Sequence, residues 1–212
     1  KMKTTNPIVS QKSNNFTKEN IMVSFSGGRT SAYMCWWLKE YMSHLYNFHF
    51  VYANTGLEHQ KTLEFVDKVD KYLNLELTWI ETVISKEFGV GEGYTVVDYE
   101  TACRGNRLFK NMCSVYGLPN SSFLYCTRVL KTVPIKKFAQ DYFGKSNFRQ
   151  ALGIRFDEPK RYSDNFKEFL QPLAQFTKIT KQDVLDFWKV QPFDLEIEEH
   201  YGNCVTCYKK SD

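Results

Sequence analysis

The sequence has no run of about 18 consecutive apolar residues, the length that a helix needs to cross a bilayer. Its first twenty residues are polar and lack the apolar stretch of a secretory signal. We therefore expect no membrane association, a cytoplasmic location and a flexible leader over residues 1–20. The 212 residues contain neither an internal repeat nor a domain linker, which predicts one domain over residues 21–212.

Acidic side chains are scarce between residues 103 and 149. This segment contains nine Lys or Arg residues and one acid, Asp141, a balance of +8, whereas the whole chain carries +4. Such a bias is typical of a surface that meets an anionic partner, including a nucleic acid, although a solvated basic face is the ordinary alternative. The oligomeric state is left open, with a homo-oligomer among the alternatives.

Short apolar runs alternate with helical periodicity along the chain. Strands are predicted at residues 21–25, 48–53, 75–80 and 148–154, and helices at residues 30–45, 58–73 and 128–143. The capping pattern Thr180-x-x-Asp183 predicts a helix that reaches Trp188. Residues 83–105, which include Gly89, Gly91 and Gly93, are predicted as a long loop. The order predicts an α/β fold, a three-layer sandwich around a mostly parallel, twisted sheet.

A glycine turn joins the first strand to the first helix, in the sequence Ser26-Gly27-Gly28-Arg29-Thr30-Ser31. Glycine lets a ligand approach the main chain, and the helix N-terminus offers unpaired amides with a positive dipole end. Hydroxyl side chains and one guanidinium add hydrogen-bond donors. The pattern fits neither the Walker motif nor the dinucleotide motif, and it favours phosphate binding over an ordinary tight turn.

This loop resembles the PP-loop of the adenine nucleotide alpha hydrolase superfamily. Four further segments resemble its phosphoadenosine phosphosulfate (PAPS) reductase branch, and the resemblance runs from about residue 22 to the end of the sequence. They are Ala53-Asn54-Thr55-Gly56 with Glu58, Cys126-Thr127-Arg128-x-x-Lys131-x-x-Pro134, Gly153-Ile154-Arg155-x-Asp157-Glu158, and Gly202-Asn203-Cys204-x-x-Cys207.

The resemblance implies an adenine nucleotide-binding enzyme that takes ATP or a PAPS-like adenylyl sulfate. Residues 26–31 would hold phosphates, Ala53, Asn54 and Thr55 would lie against adenine or ribose, and Gly153 and Ile154 would form a second nucleotide wall. The catalytic candidates are cations that would neutralise the phosphates or the leaving anion: Arg29, Arg128, Lys131 and Arg155.

Two departures bear on the chemistry that the resemblance implies. Superfamily ATP pyrophosphatases have Asp where this chain has Thr30, which weakens the expectation of a carboxylate-supported Mg²⁺. Sulfonucleotide reductases have a Cys nucleophile in a Glu-Cys-Gly-x-His segment, and the sequence contains no such segment. Adenylation with pyrophosphate release, or sulfur transfer to a nucleic acid, is therefore favoured over sulfonucleotide reduction. A non-catalytic nucleotide-binding module is the alternative from another class.

The six cysteines form no pattern typical of secreted disulfide proteins. Relatives of the resembled family bind a [4Fe-4S] cluster through a Cys-Cys pair and a later Cys-x-x-Cys. Here Tyr125 precedes Cys126, so that Cys126, Cys204 and Cys207 are the three cluster ligands implied. Zinc completed by His200 is the competing prediction, and free thiols or a redox pair is the alternative without metal.

Overall fold

The computed structural model describes residues 17–85, 92–120 and 125–198. Six strands form one sheet: β1 (Glu19–Phe25), β2 (Tyr46–Asn54), β3 (Thr78–Ile84), β4 (Glu92–Val97), β5 (Arg149–Leu152) and β6 (Phe169–Leu170). The strand order is β4-β3-β2-β1-β5-β6, and every pairing is parallel except that of β3 with β4. The predicted α/β fold with a mostly parallel sheet is confirmed.

The helices cover both faces of the sheet. They are α1 (Arg29–Met42), α2 (Gln60–Leu73), α3 (Arg107–Tyr116), α4 (Tyr125–Thr127), α5 (Val133–Phe143), α6 (Pro172–Gln175) and α7 (Lys181–Lys189). A π-helical turn, Arg128–Thr132, leads into α5, and a 3₁₀ turn covers Pro159–Arg161. In the part of the chain that the structure describes, no helix combines the length and the apolar character that a membrane span requires.

Alternation along the central strands divides the core into two layers. Ile21, Val23 and Phe25 of β1 pack into the cluster that α1, α2 and α7 cover. Met22, between them, joins the opposite cluster, which Phe138 of α5 completes. Since successive strand residues point to opposite faces, one short apolar run supplies both layers.

Three local predictions differ from the structure. Residues 83–105 are not one loop, because β4 forms within them and pairs antiparallel with β3. The predicted helix over 128–143 starts with the π turn, and α5 begins at Val133 with Pro134 in its first turn, where no amide donor is needed. The predicted leader overlaps β1, which begins at Glu19, and residues 1–16 lie outside the described residues.

Candidate functional site

A cleft lies at the topological switch point of the sheet, where the strand order reverses direction. β1 has β2 on one side and β5 on the other, so the chain crosses over in opposite directions from this strand. In open α/β sheets, ligands bind outside the carboxyl ends of the strands at such a point. A cleft of about 480 Å³ lies here, and its lining includes the residues that follow β1 and β5.

The glycine turn after β1 forms one end of the cleft. Gly27 has a φ of +82°, a conformation that L side chains rarely adopt. Gly28 is the N-cap residue of α1, and no side chain caps this helix end. A Cβ at Gly28 would have only the Ser26 hydroxyl near it, at 4.0 Å, so the space beside Gly28 is open. The first turn of α1 therefore offers an uncapped helix terminus to the cleft.

Ser31 braces this turn from inside the helix. Its Oγ accepts a hydrogen bond from the Ser26 amide at 3.1 Å and lies 2.9 Å from the Ser26 hydroxyl. The Ser31 hydroxyl donates to the Gly28 carbonyl at 2.9 Å. Ser31 is buried, and its hydroxyl thus holds the turn from Ser26 to Gly28 in shape.

The end of β5 passes very close to the start of α1. A Cβ added at Gly153 would lie 3.1 Å from the Cα of Ser31, closer than nine in ten real contacts of this kind. Glycine therefore lets the two segments approach this closely without a shift of the main chain. The predicted Gly153-Ile154-Arg155 segment and the PP-loop are adjacent in the structure, although more than 120 residues separate them in the sequence.

Arg155 carries positive charge to the loop. Its Nη1 donates to the hydroxyl of Thr30 at 3.2 Å, and its Nε donates to Asp157 at 2.8 Å. Burial alone would raise the pKa of Asp157, but the hydrogen bonds from Arg155 and from the Lys181 amide hold this pKa below its usual range. Glu158 accepts from the Arg155 amide at 3.1 Å, which fixes the turn that presents the guanidinium.

Sequence reasoning missed the outer part of the cleft. Arg161 and Lys181 contribute two more cations, and Arg161 pairs with Glu158 at 2.6 Å. Lys181 is held at the start of α7 by the capping box of Thr180 and Asp183, which is present as predicted. The remaining wall is mostly apolar and consists of Val184, Leu185, Leu195, Ile197 and Glu198. These residues come from separate segments, and no local motif marks them.

Arg29 lines the cleft but is already engaged. Its Nε and Nη2 donate to the two carboxylate oxygens of Asp194, at 2.6 and 3.0 Å, and Nη2 also donates to the Leu195 carbonyl. The sequence assigned this guanidinium to phosphate. The structure instead places it in a bidentate ion pair with the opposite wall.

The turn after β2 does not offer its side chains to the cleft. Asn54 and Thr55 are fully buried. Asn54 donates to Glu81 at 2.7 Å, and the Thr55 hydroxyl donates to Glu58 at 2.8 Å. The assignment of Asn54 and Thr55 to adenine or ribose therefore finds no support in their side chains, and Ala53 is also buried, at the end of β2.

Four of the nine cations of the basic segment pair with acids from elsewhere in the chain. Lys131 pairs with the buried Glu58 at 3.5 Å, and Arg128 stands in the same π turn. Neither residue lines the cleft that holds the PP-loop. Three more cations of the segment pair with acids outside it, in the pairs Arg107–Glu81, Lys136–Glu168 and Arg149–Glu19. The sequence bias of +8 is thus not the charge of one free surface.

The metal prediction rests mainly on residues that the structure does not describe, since His200, Cys204 and Cys207 lie outside the described residues. Cys126 is half-buried beside Cys113, and burial, with Cys126 nearby, raises the pKa of the Cys113 thiol. Within residues 17–85, 92–120 and 125–198, no three His, Cys, Asp or Glu side chains are grouped to hold a metal ion. A cluster, zinc and Mg²⁺ therefore stay predictions from the sequence.

A glycine turn between a parallel strand and an uncapped helix, at the switch point of an α/β sheet, defines a class of phosphate-binding α/β proteins. The family model described as "Phosphoadenosine phosphosulfate reductase domain" matches residues 20–193, and the chain belongs to this family. The resemblance stated from the sequence is thereby confirmed.

One relative extends this finding. The chain is 42% identical over 193 residues to the "Uncharacterized nin region protein ORF290" of Escherichia phage lambda. The match covers 90% of this chain and 66% of that protein, so the chain spans just under two thirds of the relative's length.

Proposed function

We propose that the cleft binds an adenine nucleotide, ATP or an adenylyl sulfate, with its phosphates at residues 26–31. The observation that carries the proposal is the convergence of the uncapped α1 terminus with Arg155, Arg161 and Lys181 on one cleft. Main-chain amides at a helix N-terminus bind phosphate oxygens directly, and planar guanidinium groups bind them bidentately. Membership of the PAPS reductase domain family supports an adenine nucleotide over other phosphates.

The proposed chemistry is nucleotidyl transfer from ATP. An acceptor oxygen attacks the α-phosphorus, the new P–O bond forms, and the bond to pyrophosphate breaks. The chain's own residues would contribute position and charge: the loop amides hold the departing phosphates, and Arg155 neutralises charge that develops on them. Arg155 donates to the hydroxyl of Thr30, the position where ATP pyrophosphatases have Asp. A cation therefore lies beside the position where those relatives have a carboxylate.

Sulfur transfer from an adenylyl sulfate is the second reading of the same cleft. Both ligands present an anionic phosphate to the loop, so binding alone does not separate them. Release of pyrophosphate requires ATP. With an adenylyl sulfate, an acceptor nucleophile bonds to the sulfur, the S–O bond to the phosphate breaks, and the sulfo group moves to the acceptor while the adenine nucleotide leaves. The identity of the released product therefore distinguishes the two reactions.

Calorimetric titration of the purified protein with ATP, adenosine phosphosulfate and PAPS tests the binding step. We expect at least one dissociation constant below about 1 mM, equivalent to about 4 kcal/mol of binding free energy. GTP is the matched control for recognition of the base. Weaker binding of all three adenine nucleotides would refute the proposal. Tight ATP binding without pyrophosphate release across a panel of acceptors would instead indicate a non-catalytic nucleotide-binding module.

A further inference from the structure

We infer that Arg29 is a positioning residue that clamps residues 194–198 as the far wall of the cleft, and that it does not itself bind phosphate. This inference rests on the proposed function, because the wall affects a ligand only if the cleft holds a nucleotide. It separates Arg29 from Arg155 in role, although both guanidinium groups line the same cleft.

The clamp is a two-point contact with a third bond beside it. The Arg29 fork meets both carboxylate oxygens of Asp194 at 2.6 and 3.0 Å and also donates to the carbonyl of Leu195. The two side chains are 22% and 37% exposed. A bidentate guanidinium–carboxylate pair fixes orientation as well as distance, which a lysine at this position could not do.

The main chain of Arg29 is tied to the same part of the protein. The indole Nε1 of Trp188 donates to the Arg29 carbonyl at 3.0 Å, and Trp188 is almost fully buried in α7. Arg29 is the first residue of α1, directly after Gly28 of the loop. The position of the phosphate-binding turn and that of the far wall therefore depend on one residue.

The far wall is also attached by apolar packing at Leu195 and Ile197 and by an ion pair at Glu196. Leu195 is buried in the core, and Ile197 packs against it. The Lys61–Glu196 pair, at 3.2 Å, joins two largely exposed side chains and should contribute little. Loss of the clamp should thus loosen the wall, while the burial of Leu195 preserves the fold.

The bidentate pairing of Arg29 argues against direct phosphate binding. Both carboxylate oxygens of Asp194 are bonded to Arg29, whereas Arg155 donates to Asp157 through Nε and directs Nη1 to the Thr30 hydroxyl of the loop. A phosphate that took this guanidinium would have to break its paired hydrogen bonds and leave Asp194, a carboxylate, unpaired at the cleft. Removing the Asp194 charge would then strengthen nucleotide binding. If Arg29 acts as a clamp, the same change should weaken binding, because the wall loses its anchor. The two roles predict effects of opposite sign at Asp194.

The experiment is a double-mutant cycle with Arg29→Ala, Asp194→Asn and the double variant, titrated with ATP and with inorganic pyrophosphate. We expect each single variant to weaken ATP binding about tenfold and the double variant to be no worse than either. Pyrophosphate, which would meet the loop amides and their neighbouring cations but not the far wall, should bind within about twofold of wild type in all three. Lys61→Gln, which removes the Lys61–Glu196 ion pair of the wall, is the matched control and should change neither affinity.

Tighter ATP binding by Asp194→Asn, or equal loss of ATP and pyrophosphate in Arg29→Ala, would overturn the inference. Amide hydrogen exchange of residues 194–198 in the unliganded protein tests the clamp without any ligand. Exchange should rise in both single variants and stay at the wild-type level in Lys61→Gln. Unchanged exchange in all variants would refute the clamp. Failure of the wild-type protein to bind ATP or pyrophosphate would refute the proposed function and leave the exchange result to decide on the clamp.

Discussion

The two glycines of the PP-loop should respond in opposite ways to replacement by alanine. Gly28 has φ −98° and open space beside it, so a methyl group fits the fold and enters the cleft. Gly27 has φ +82°, and its Cβ would lie 2.9 Å from Cγ2 of Thr62 and 3.2 Å from that of Val66. Alanine at position 27 is therefore strained and overpacked, whereas alanine at position 28 meets only the ligand.

The magnitudes follow from these contacts. For Gly27→Ala, a left-handed backbone costs about 1–2 kcal/mol, and overpacking adds about 1–3 kcal/mol. In a domain of this size that lowers the melting temperature by roughly 5–15 °C. For Gly28→Ala, unfolding free energy should stay within about 1 kcal/mol of wild type. Its ATP affinity should fall about 10- to 100-fold, since the methyl group keeps phosphate from the loop amides.

Thermal melts and calorimetric titrations of the two variants, side by side, check both expectations. Each variant is the control for the other, because the chemical change is identical and the positions are adjacent. A Gly28→Ala protein that binds ATP as tightly as wild type would show that phosphate does not lie on this main chain. Equal melting temperatures for the two variants would contradict the steric reasoning at Gly27.

Three further predictions concern neighbouring features. Glu158→Gln keeps the acceptor for the Arg155 amide but removes the negative charge that pairs with Arg161. ATP should therefore bind about three- to tenfold tighter by calorimetry, and unchanged or weaker binding would contradict this. Burial lowers the pKa of His49, so the folded state resists its protonation. Urea unfolding should show stability lost as pH falls below about 6.5, the pKa of an unfolded histidine, and His49→Gln should flatten that dependence. Thr180→Ala removes the α7 capping box and should cost about 1 kcal/mol in thermal unfolding; a loss below about 0.3 kcal/mol would show that the box is redundant.

Local pattern was enough to predict most of the sheet. The apolar run at residues 21–25 and the aromatic run at 48–53 each coincide with a strand, because parallel strands covered on both faces are almost continuously apolar. β4 was missed because the glycines at positions 89, 91 and 93 suggested a loop, although Tyr94-Thr95-Val96-Val97 has high strand propensity and pairs with β3. α3 was also not predicted, because its part of the basic segment 103–149 was considered only for its charge.

The parts of the site that depend on a short stretch of sequence were predictable, whereas the parts that distant segments bring together were not. The PP-loop and Gly153 carry backbone requirements that a sequence shows directly, and the structure places them together. Arg161 and Lys181 reach the same cleft through tertiary packing, which leaves no spacing to detect. The engagement of Arg29 with Asp194 also depends on a residue 165 positions away. For the same reason, the pairing of Lys131 with Glu58 could not be inferred from a segment-wise count of charges.

The central position of β1 has a consequence for synthesis on the ribosome. One side of β1 can pair with β2 soon after residue 54 has emerged, but its other side waits for Arg149–Leu152. At about 5–20 residues per second, that interval lasts roughly 5–20 s, during which a buried strand of the finished protein has an unsatisfied backbone edge. The nascent chain must therefore keep an apolar strand from pairing with other chains until its last neighbour is made.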